Sequence, residues 1–103
     1  MVSGAGALGL SAIMAAKVAG ADHIIAIDRH RNRLDLAEHF GATNTISGST
    51  EEITTGILAI TGTGADYAFD TTGNAAVVRA VHAALNPIGT IALAGVGFGD
   101  LSV

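Results

Sequence analysis

A glycine-rich turn near the start of the chain constrains its fold more than any other feature. Residues 4–9 read GAGALG, which is the pattern G-x-G-x-x-G. The turn stands between a short stretch with strand character, residues 1–3, and an apolar run that begins at Ala7. In a strand–turn–helix unit the first glycine permits a tight turn, the second leaves room for a pyrophosphate, and the third lets the helix approach the strand closely. Free N–H groups at the start of such a helix favour a phosphate.

The residues that follow the turn strengthen this interpretation. Residues 23–28 (HIIAID) form an apolar stretch that ends in a carboxylate, Asp28, 19 positions after Gly9. A carboxylate at this distance can accept two hydrogen bonds from the hydroxyl groups of a ribose. The alternative is a tight helix–strand crossing followed by a solvated aspartate. The combined pattern favours a dinucleotide site.

The charges around Asp28 bear on the choice of dinucleotide. Its carboxylate repels a 2′-phosphate and so favours NAD over NADP, whereas Arg29 and Arg31 could pair with that phosphate. We expect NAD, with NADP as the less favoured alternative. Arg33 could reach the same ribose, or it could be a solvated arginine on a helix face.

The rest of the chain predicts strands and helices in alternation. A capping box, Ser49 to Glu52, begins the third helix, and residues 86–89 (NPIG) break the fourth. Predicted strands span residues 1–3, 23–28, 44–46, 67–72 and 90–94; predicted helices span residues 7–19, 31–40, 49 to about 60, and 75–85. This order predicts an α/β fold with a Rossmann-type, doubly wound parallel sheet.

Composition excludes several classes of function. The chain has 103 residues, half of them hydrophobic, which fits one domain or a part of one. A net charge of −4 with only five Lys and Arg residues disfavours nucleic acid and anionic membranes as partners. The chain contains no cysteine, so it offers no thiolate metal ligand, and this fits a reducing compartment such as the cytoplasm. No apolar run reaches the roughly 18 residues of a membrane span.

Along essentially its whole length the chain resembles the cofactor domain of zinc-dependent medium-chain alcohol dehydrogenases, with features of the aryl (benzyl) alcohol subgroup. The resemblance lies in residues 4–46, in residues 66–74 (DYAFDTTGN) and in residues 85–96 (LNPIGTIALAGV). It implies that residues 1–103 are part of an NAD(P)-binding domain with strand order 3-2-1-4-5-6. The parent enzyme would transfer a hydride between a small alcohol, aromatic alcohols among the candidates, and NAD, with an aldehyde as the product.

The resemblance also implies roles for individual residues, all in cofactor binding. Gly4, Gly6 and Gly9, with Ala7 among them, match the phosphate turn, and Leu8 matches the apolar residue behind the nicotinamide. Asp28 and Arg33 match the pair that holds the adenosine ribose. Thr71 and Thr72 match positions beside the ribose and adenine, and Ala94 and Val96 match the backbone that meets the carboxamide. The two threonines could instead only turn the chain, and the last pair could only fill the sheet.

The departures from the family are equally informative. The family's Cys/His/acid zinc site and its Gly-His-Glu motif have no counterpart here, and the four histidines (His23, His30, His39 and His82) fall on different elements. We therefore expect no catalytic and no metal-binding residue in this chain, with zinc held only in a separate catalytic domain. We also expect a fragment truncated at both ends, inactive alone, from a parent that forms homo-oligomers.

Two other classes of function remain open at this point. A methyltransferase that uses S-adenosylmethionine also has a glycine-rich first turn and an acid after its second strand. It usually has a looser glycine pattern and an acidic residue just before the glycines, where this chain has Val2 and Ser3. A non-catalytic, cofactor-binding remnant is the other alternative. Titration with NADH and with S-adenosylmethionine distinguishes a methyltransferase from a dehydrogenase. An alcohol-dependent NADH assay distinguishes a non-catalytic remnant from an active dehydrogenase.

Overall fold

The computed structural model describes residues 1–94, which form one five-stranded parallel sheet with four helices. The strands are β1 (Val2–Ser3), β2 (Ile25–Ile27), β3 (Asn44–Ile46), β4 (Ala65–Asp70) and β5 (Leu85–Leu93). The helices are α1 (Ala7–Val18), α2 (Arg31–Phe40), α3 (Thr50–Thr61) and α4 (Ala75–Ala83). The strand order is β3-β2-β1-β4-β5, and all four neighbouring pairs are parallel. The predicted Rossmann-type fold class is confirmed.

The sheet is covered by helices on both faces, as is usual for a parallel sheet, and β2 is apolar and buried along its whole length. In β2, Ile25 and Ile27 pack into a cluster with Ile53 and Ile57 of α3. The intervening Ala26 packs on the opposite face, in a cluster with α1 and α2. Alternate residues of one strand therefore contribute to two separate cores, and this places α1 and α2 on one side of the sheet and α3 and α4 on the other.

Helices α3 and α4 begin at polar caps. The Glu52 N–H donates to the Ser49 hydroxyl oxygen (3.3 Å), as the capping box predicts. The Glu52 carboxylate accepts from the Ser49 hydroxyl, whereas a capping box predicts that it accepts from the Ser49 N–H. Asn74 caps α4 and accepts from the N–H groups of Ala76 and Val77. Both helix starts lie at the carboxyl edge of the sheet, because each follows a parallel strand.

The largest difference from the predicted elements concerns β5, which begins at Leu85 and not at residue 90. Leu85 pairs with Ala65, and Thr90 pairs with Tyr67, so residues 86–89 form a bulge. Pro87 fits there because a bulge needs no hydrogen-bond donor at that position. The NPIG segment therefore interrupts a strand, and α4 ends earlier than predicted, at Ala83.

Strand β4 begins and ends two residues earlier than predicted. It spans Ala65–Asp70 instead of residues 67–72, so Thr71 and Thr72 lie beyond its carboxyl end. Strand β2 is shorter than predicted and ends at Ile27, which leaves Asp28 in the turn that follows. Both shifts bring polar side chains to the same edge of the sheet.

Candidate cofactor-binding site

The candidate site is a cleft at the carboxyl edge of the sheet, where the chain order reverses on either side of β1. Such reversal points are the usual ligand sites of open parallel sheets. The cleft has a volume of about 550 Å³ and is formed by the glycine turn, the segment after β2 and the turn after β4. Six of the predicted residues line it: Gly4, Gly6, Asp28, Arg33, Thr71 and Thr72.

The three glycines of the turn each serve a different structural purpose. Gly4 has a φ of +91°, and a β-carbon there would collide with the Thr71 hydroxyl. A β-carbon on Gly9 would overlap the carbonyl oxygen of Gly4, so α1 packs directly on the backbone of the turn. A β-carbon on Gly6 would meet nothing within 4 Å. Gly4 and Gly9 are therefore needed to build the turn, whereas Gly6 leaves open space at the mouth of the cleft.

The start of α1 faces the cleft without a cap of its own. Gly6 occupies the N-cap position and offers no side-chain hydrogen bond, and the first turn of α1 carries no acidic residue. The first N–H groups of a helix have no intrahelical partner, and the helix dipole makes this end partly positive. An uncapped helix start beside open space is suited to binding an anion such as a pyrophosphate.

Asp28 joins the end of β2 to the glycine turn. Its side chain is only 5% exposed. One carboxylate oxygen accepts from the N–H of Ala5 (2.9 Å) and the other from the N–H of His30 (2.8 Å). The guanidinium of Arg33 lies 3.8 Å away. Each carboxylate oxygen can accept a further hydrogen bond. Asp28 therefore holds the turn in place and retains acceptor capacity toward the cleft.

The arginines near Asp28 divide into two groups. Arg31 pairs with Asp35 (3.0 Å) and Glu38 (2.8 Å), two residues of its own helix. The hydrogen bond to Asp35 raises the pKa of Arg31 above its ordinary value. Arg29 and Arg33 line the cleft, and Arg31 does not. Of the two arginines expected to oppose Asp28 in cofactor choice, only Arg29 is placed to do so.

The turn after β4 is held by Asp70, which the sequence analysis did not single out. This carboxylate is fully buried and accepts hydrogen bonds from Ser3 Oγ (2.5 Å), Thr72 Oγ1 (2.8 Å) and the Gly73 N–H (3.1 Å). Thr71 Oγ1 lies within hydrogen-bond distance of the Ser3 and Gly4 carbonyl oxygens. The two threonines therefore shape the turn and also line the cleft. An acid at the end of an apolar strand, the pattern that identified Asp28, could have identified Asp70.

Four further predicted residues lie outside the lining of the cleft. Gly9 is buried beneath the turn, and Ala7 and Leu8 follow Gly6 in the first turn of α1, where Leu8 is half exposed. The N–H of Ala94 donates to the Asp70 carbonyl oxygen just beyond β5. Val96 lies outside the described residues. The cleft also includes residues that the sequence analysis did not assign to the site: Ile27, His30, Gly48, Ile53, Asn74 and Val77.

The described residues provide no site for zinc. Among residues 1–94, no three His, Asp or Glu side chains are grouped so that they could hold a metal ion. Within the same residues, the open space at Gly6, the uncapped helix and the acceptor capacity of Asp28 fit a dinucleotide.

None of the helices in this part of the chain is long and apolar enough to span a membrane.

Comparison with known proteins agrees with this geometry. Residues 7–103 match the family model described as zinc-binding dehydrogenase. The chain is 42% identical over 81 residues to alcohol dehydrogenase class-3 of Myxine glutinosa and 34% identical over 103 residues to geraniol dehydrogenase of Castellaniella defragrans. These alignments cover 77% and 99% of this chain but 22% and 28% of the relatives.

The fold comparison leads to the same group of proteins. Benzyl alcohol dehydrogenase of Acinetobacter calcoaceticus superposes with a TM-score of 0.89 at 42% identity. The superposition covers 93% of this chain and 26% of that structure. The chain thus spans about a quarter of the length of the relatives that it matches.

Proposed function

The chain belongs to the zinc-binding dehydrogenase family, and we propose that it binds NAD as part of the cofactor domain of an alcohol dehydrogenase. One observation carries this proposal: an uncapped helix start and the open space at Gly6 lie at the same cleft as the Asp28 carboxylate. The cleft thus offers donors for a pyrophosphate and an acceptor for a ribose. The family membership supports the same ligand class.

Each residue that the sequence analysis assigned to cofactor binding has a role in this proposal. The N–H groups at the start of α1 would bind the pyrophosphate, which the open space at Gly6 can admit. Asp28 would accept the ribose hydroxyls while still holding the Ala5 N–H, and Arg33 would lie at the rim beside it. Thr71 and Thr72 would border the adenosine half. Ala7 remains a proposed contact of the pyrophosphate as part of the glycine turn, and Leu8, Ala94 and Val96 remain proposed contacts of the nicotinamide half.

We propose NAD rather than NADP because of the charges at the cleft. The buried Asp28 carboxylate would face the ribose, and a 2′-phosphate there would meet like charge. Arg31 is occupied by Asp35 and Glu38 on α2. Arg29 and Arg33 remain near the cleft, so we expect NADP to bind more weakly than NAD but still measurably.

The proposed parent reaction is hydride transfer between a small alcohol and NAD. Oxidation of the alcohol gives an aldehyde or ketone. When bound, the nicotinamide supplies the hydride chemistry, and the protein supplies position and surroundings. The described residues contribute binding and orientation of the cofactor. Residues 1–94 hold no group of three possible metal ligands, and on the basis of the family we propose that the zinc ion and the substrate pocket belong to another part of the enzyme.

The remaining parts of the proposal concern the setting of the enzyme. Relatives named for benzyl alcohol and geraniol support hydrophobic alcohols as substrates to test first. We propose a homo-oligomeric parent enzyme in the cytoplasm, where the nicotinamide dinucleotides are recycled. Size-exclusion chromatography with light scattering and cell fractionation test these two points.

Calorimetric titration of the chain with NADH, NADPH and S-adenosylmethionine tests the proposed ligand. We expect NADH to bind most tightly, NADPH to bind more weakly because of Asp28, and S-adenosylmethionine to give no binding heat. The titrations use one protein preparation, so folding is the same in all three. Tighter binding of S-adenosylmethionine than of NADH would contradict the proposal and support the methyltransferase alternative.

A further inference from the structure

Two polar residues of the described part of the chain have almost no exposed surface, Ser3 at 1% and Asp70 at 0%. They lie side by side in the sheet, because Ser3 at the end of β1 pairs in register with Asp70 at the end of β4. Their side chains therefore leave the same face of the sheet. The Ser3 hydroxyl donates to Asp70 Oδ1 (2.5 Å), so this hydrogen bond joins the two strands at the edge that carries the candidate cofactor site.

The Asp70 carboxylate also reaches the wall of the cleft. The same oxygen, Oδ1, accepts from Thr72 Oγ1 (2.8 Å), and Oδ2 accepts from the Gly73 N–H (3.1 Å). Thr72 lines the cleft, whereas Ser3 and Asp70 do not. One buried carboxylate thus connects the residue just before the glycine turn with the turn after β4.

The donors and acceptors of this network fix the direction of the Thr72 hydroxyl proton. A carboxylate only accepts hydrogen bonds, and a hydroxyl group carries a single proton. Because Thr72 donates that proton to Asp70, it has none to offer to a ligand in the cleft. The Thr72 oxygen also accepts from the Asn74 N–H (3.1 Å), which leaves it one lone pair. Toward a ligand, the Thr72 hydroxyl can therefore act only as an acceptor.

Ser3 and Thr72 share one oxygen of Asp70, and Ser3 is the more firmly held of the two donors. Its backbone pairs with Ile27 in β2 and with Asp70 in β4, so its hydroxyl is a fixed point that orients the carboxylate. Without that hydroxyl, Oδ1 would keep Thr72 as its only side-chain donor. The loss of a partner by a buried acceptor is costly, so the carboxylate and the turn that it holds would shift.

We propose that Asp70 is a positioning residue for the cofactor: through it, the Ser3 hydroxyl sets the position and the proton direction of Thr72 in the cleft. This proposal rests on the proposed binding of NAD. It predicts that NAD affinity depends on Ser3, although the Ser3 side chain does not reach the cleft. A network that only stabilises the turn would change the free energy of unfolding and leave the affinity of the folded chain unchanged.

Calorimetric titration of folded Ser3→Ala with NADH tests the proposal. The Ser3 carbonyl oxygen still accepts from the N–H and the hydroxyl of Thr71, so we expect this variant to fold. The NADH affinity should fall at least about fivefold, because the lost hydrogen bond is a charge-assisted one. Ser3→Cys keeps only a weak donor and should bind NADH with intermediate affinity. It takes the place of Ser3→Ala if that variant does not fold.

Thr54→Val is the matched control. Thr54 Oγ1 donates to the Ala80 carbonyl oxygen (2.9 Å), a hydrogen bond between α3 and α4 that lies outside the cleft. Removing it should lower the urea midpoint, because a buried acceptor loses its donor. The NADH affinity of this variant should change by less than about twofold, since distant sites act independently.

A double-mutant cycle shows whether Ser3 acts through Thr72. In a Thr72→Val background the hydroxyl that Asp70 positions is absent. Adding Ser3→Ala to that background should weaken NADH binding by less than about twofold, because residues of one network are not additive.

Three results overturn the proposal. Folded Ser3→Ala binds NADH as tightly as the unmodified chain, Thr54→Val loses as much affinity as Ser3→Ala, or Ser3→Ala has an equally large effect in the Thr72→Val background. Each of these leaves NADH binding by the unmodified chain intact. If the unmodified chain itself does not bind NADH, the proposed function fails, and this proposal fails with it.

Discussion

A chain carrying Gly9→Ala is expected to be strongly destabilised. The added β-carbon would overlap the Gly4 carbonyl oxygen and lie 2.9 Å from the Gly4 carbonyl carbon. Both are backbone atoms, so no side chain can rotate away. Either α1 moves off β1, which opens the cluster around Ile13, or the turn gives up its hydrogen bond from Gly4 N to Ile27 O.

The expected cost is large relative to the stability of a domain. Overpacking a close contact typically costs about 1–3 kcal/mol even where side chains can adjust, and a net stability of about 5–15 kcal/mol is usual. We expect Gly9→Ala to lower the free energy of unfolding by more than about 3 kcal/mol. The measurement is urea unfolding followed by far-UV circular dichroism. Gly6→Ala is the matched control and should unfold like the unmodified chain. Equal urea midpoints for Gly9→Ala and Gly6→Ala would contradict the close approach of α1.

The second large effect is expected from Asp28→Ala, which should weaken NAD binding by about 10- to 150-fold. This corresponds to the loss of hydrogen bonds to a charged acceptor, roughly 1.5–3 kcal/mol. The substitution should also reduce discrimination against NADP, because the repulsive carboxylate is gone. In addition, it leaves the N–H groups of Ala5 and His30 without their acceptor, so some loss of stability accompanies the loss of binding.

Two further variants separate binding from folding in this experiment. Asp28→Asn keeps an oxygen that can accept one of the two backbone hydrogen bonds, and it removes the charge that opposes NADP. Asp35→Ala removes an exposed acid of α2 that pairs with Arg31 and lies outside the cleft, so its NAD affinity should be unchanged. The measurement is calorimetric titration with NAD and NADP on chains shown to be folded. If folded Asp28→Ala binds NAD as tightly as the unmodified chain, Asp28 does not hold the ribose.

The succession of strands and helices and the position of the glycine turn could be predicted from sequence because their signals are local, whereas the order of the strands in the sheet followed only from the family resemblance. The spacing of Gly4, Gly6 and Gly9 predicts a tight turn between a strand and a helix. The structure shows the close contacts at Gly4 and Gly9 that such a turn makes. The alternation of apolar and helical segments was enough to predict a doubly wound sheet. The binding roles of these residues stay predictions until a ligand is measured.

The features that sequence analysis missed depend on contacts between distant residues. Ser3 and Asp70 are 67 positions apart, and nothing near either one shows that they share a hydrogen bond. The bulge in β5 depends on its register with β4, so the proline and glycine between Leu85 and Thr90 were interpreted as a break. One missed contact is local: the pair Arg31–Asp35 lies within one helix at i, i+4 spacing and could have been found from the sequence.

The most direct test of the proposed dinucleotide site is NADH titration of the chain with Gly6→Val. Gly6 has φ −78° and ψ −164°, which a valine can adopt, and its β-carbon would meet nothing within 4 Å. The chain should therefore still fold, while the new side chain occupies space proposed for the pyrophosphate. Ser11→Val, at an exposed position of the same helix outside the cleft, is the control. We predict that Gly6→Val remains folded and loses at least about tenfold in NADH affinity, whereas Ser11→Val keeps the NADH affinity of the unmodified chain; a folded Gly6→Val chain that binds NADH normally would contradict the proposed pyrophosphate site.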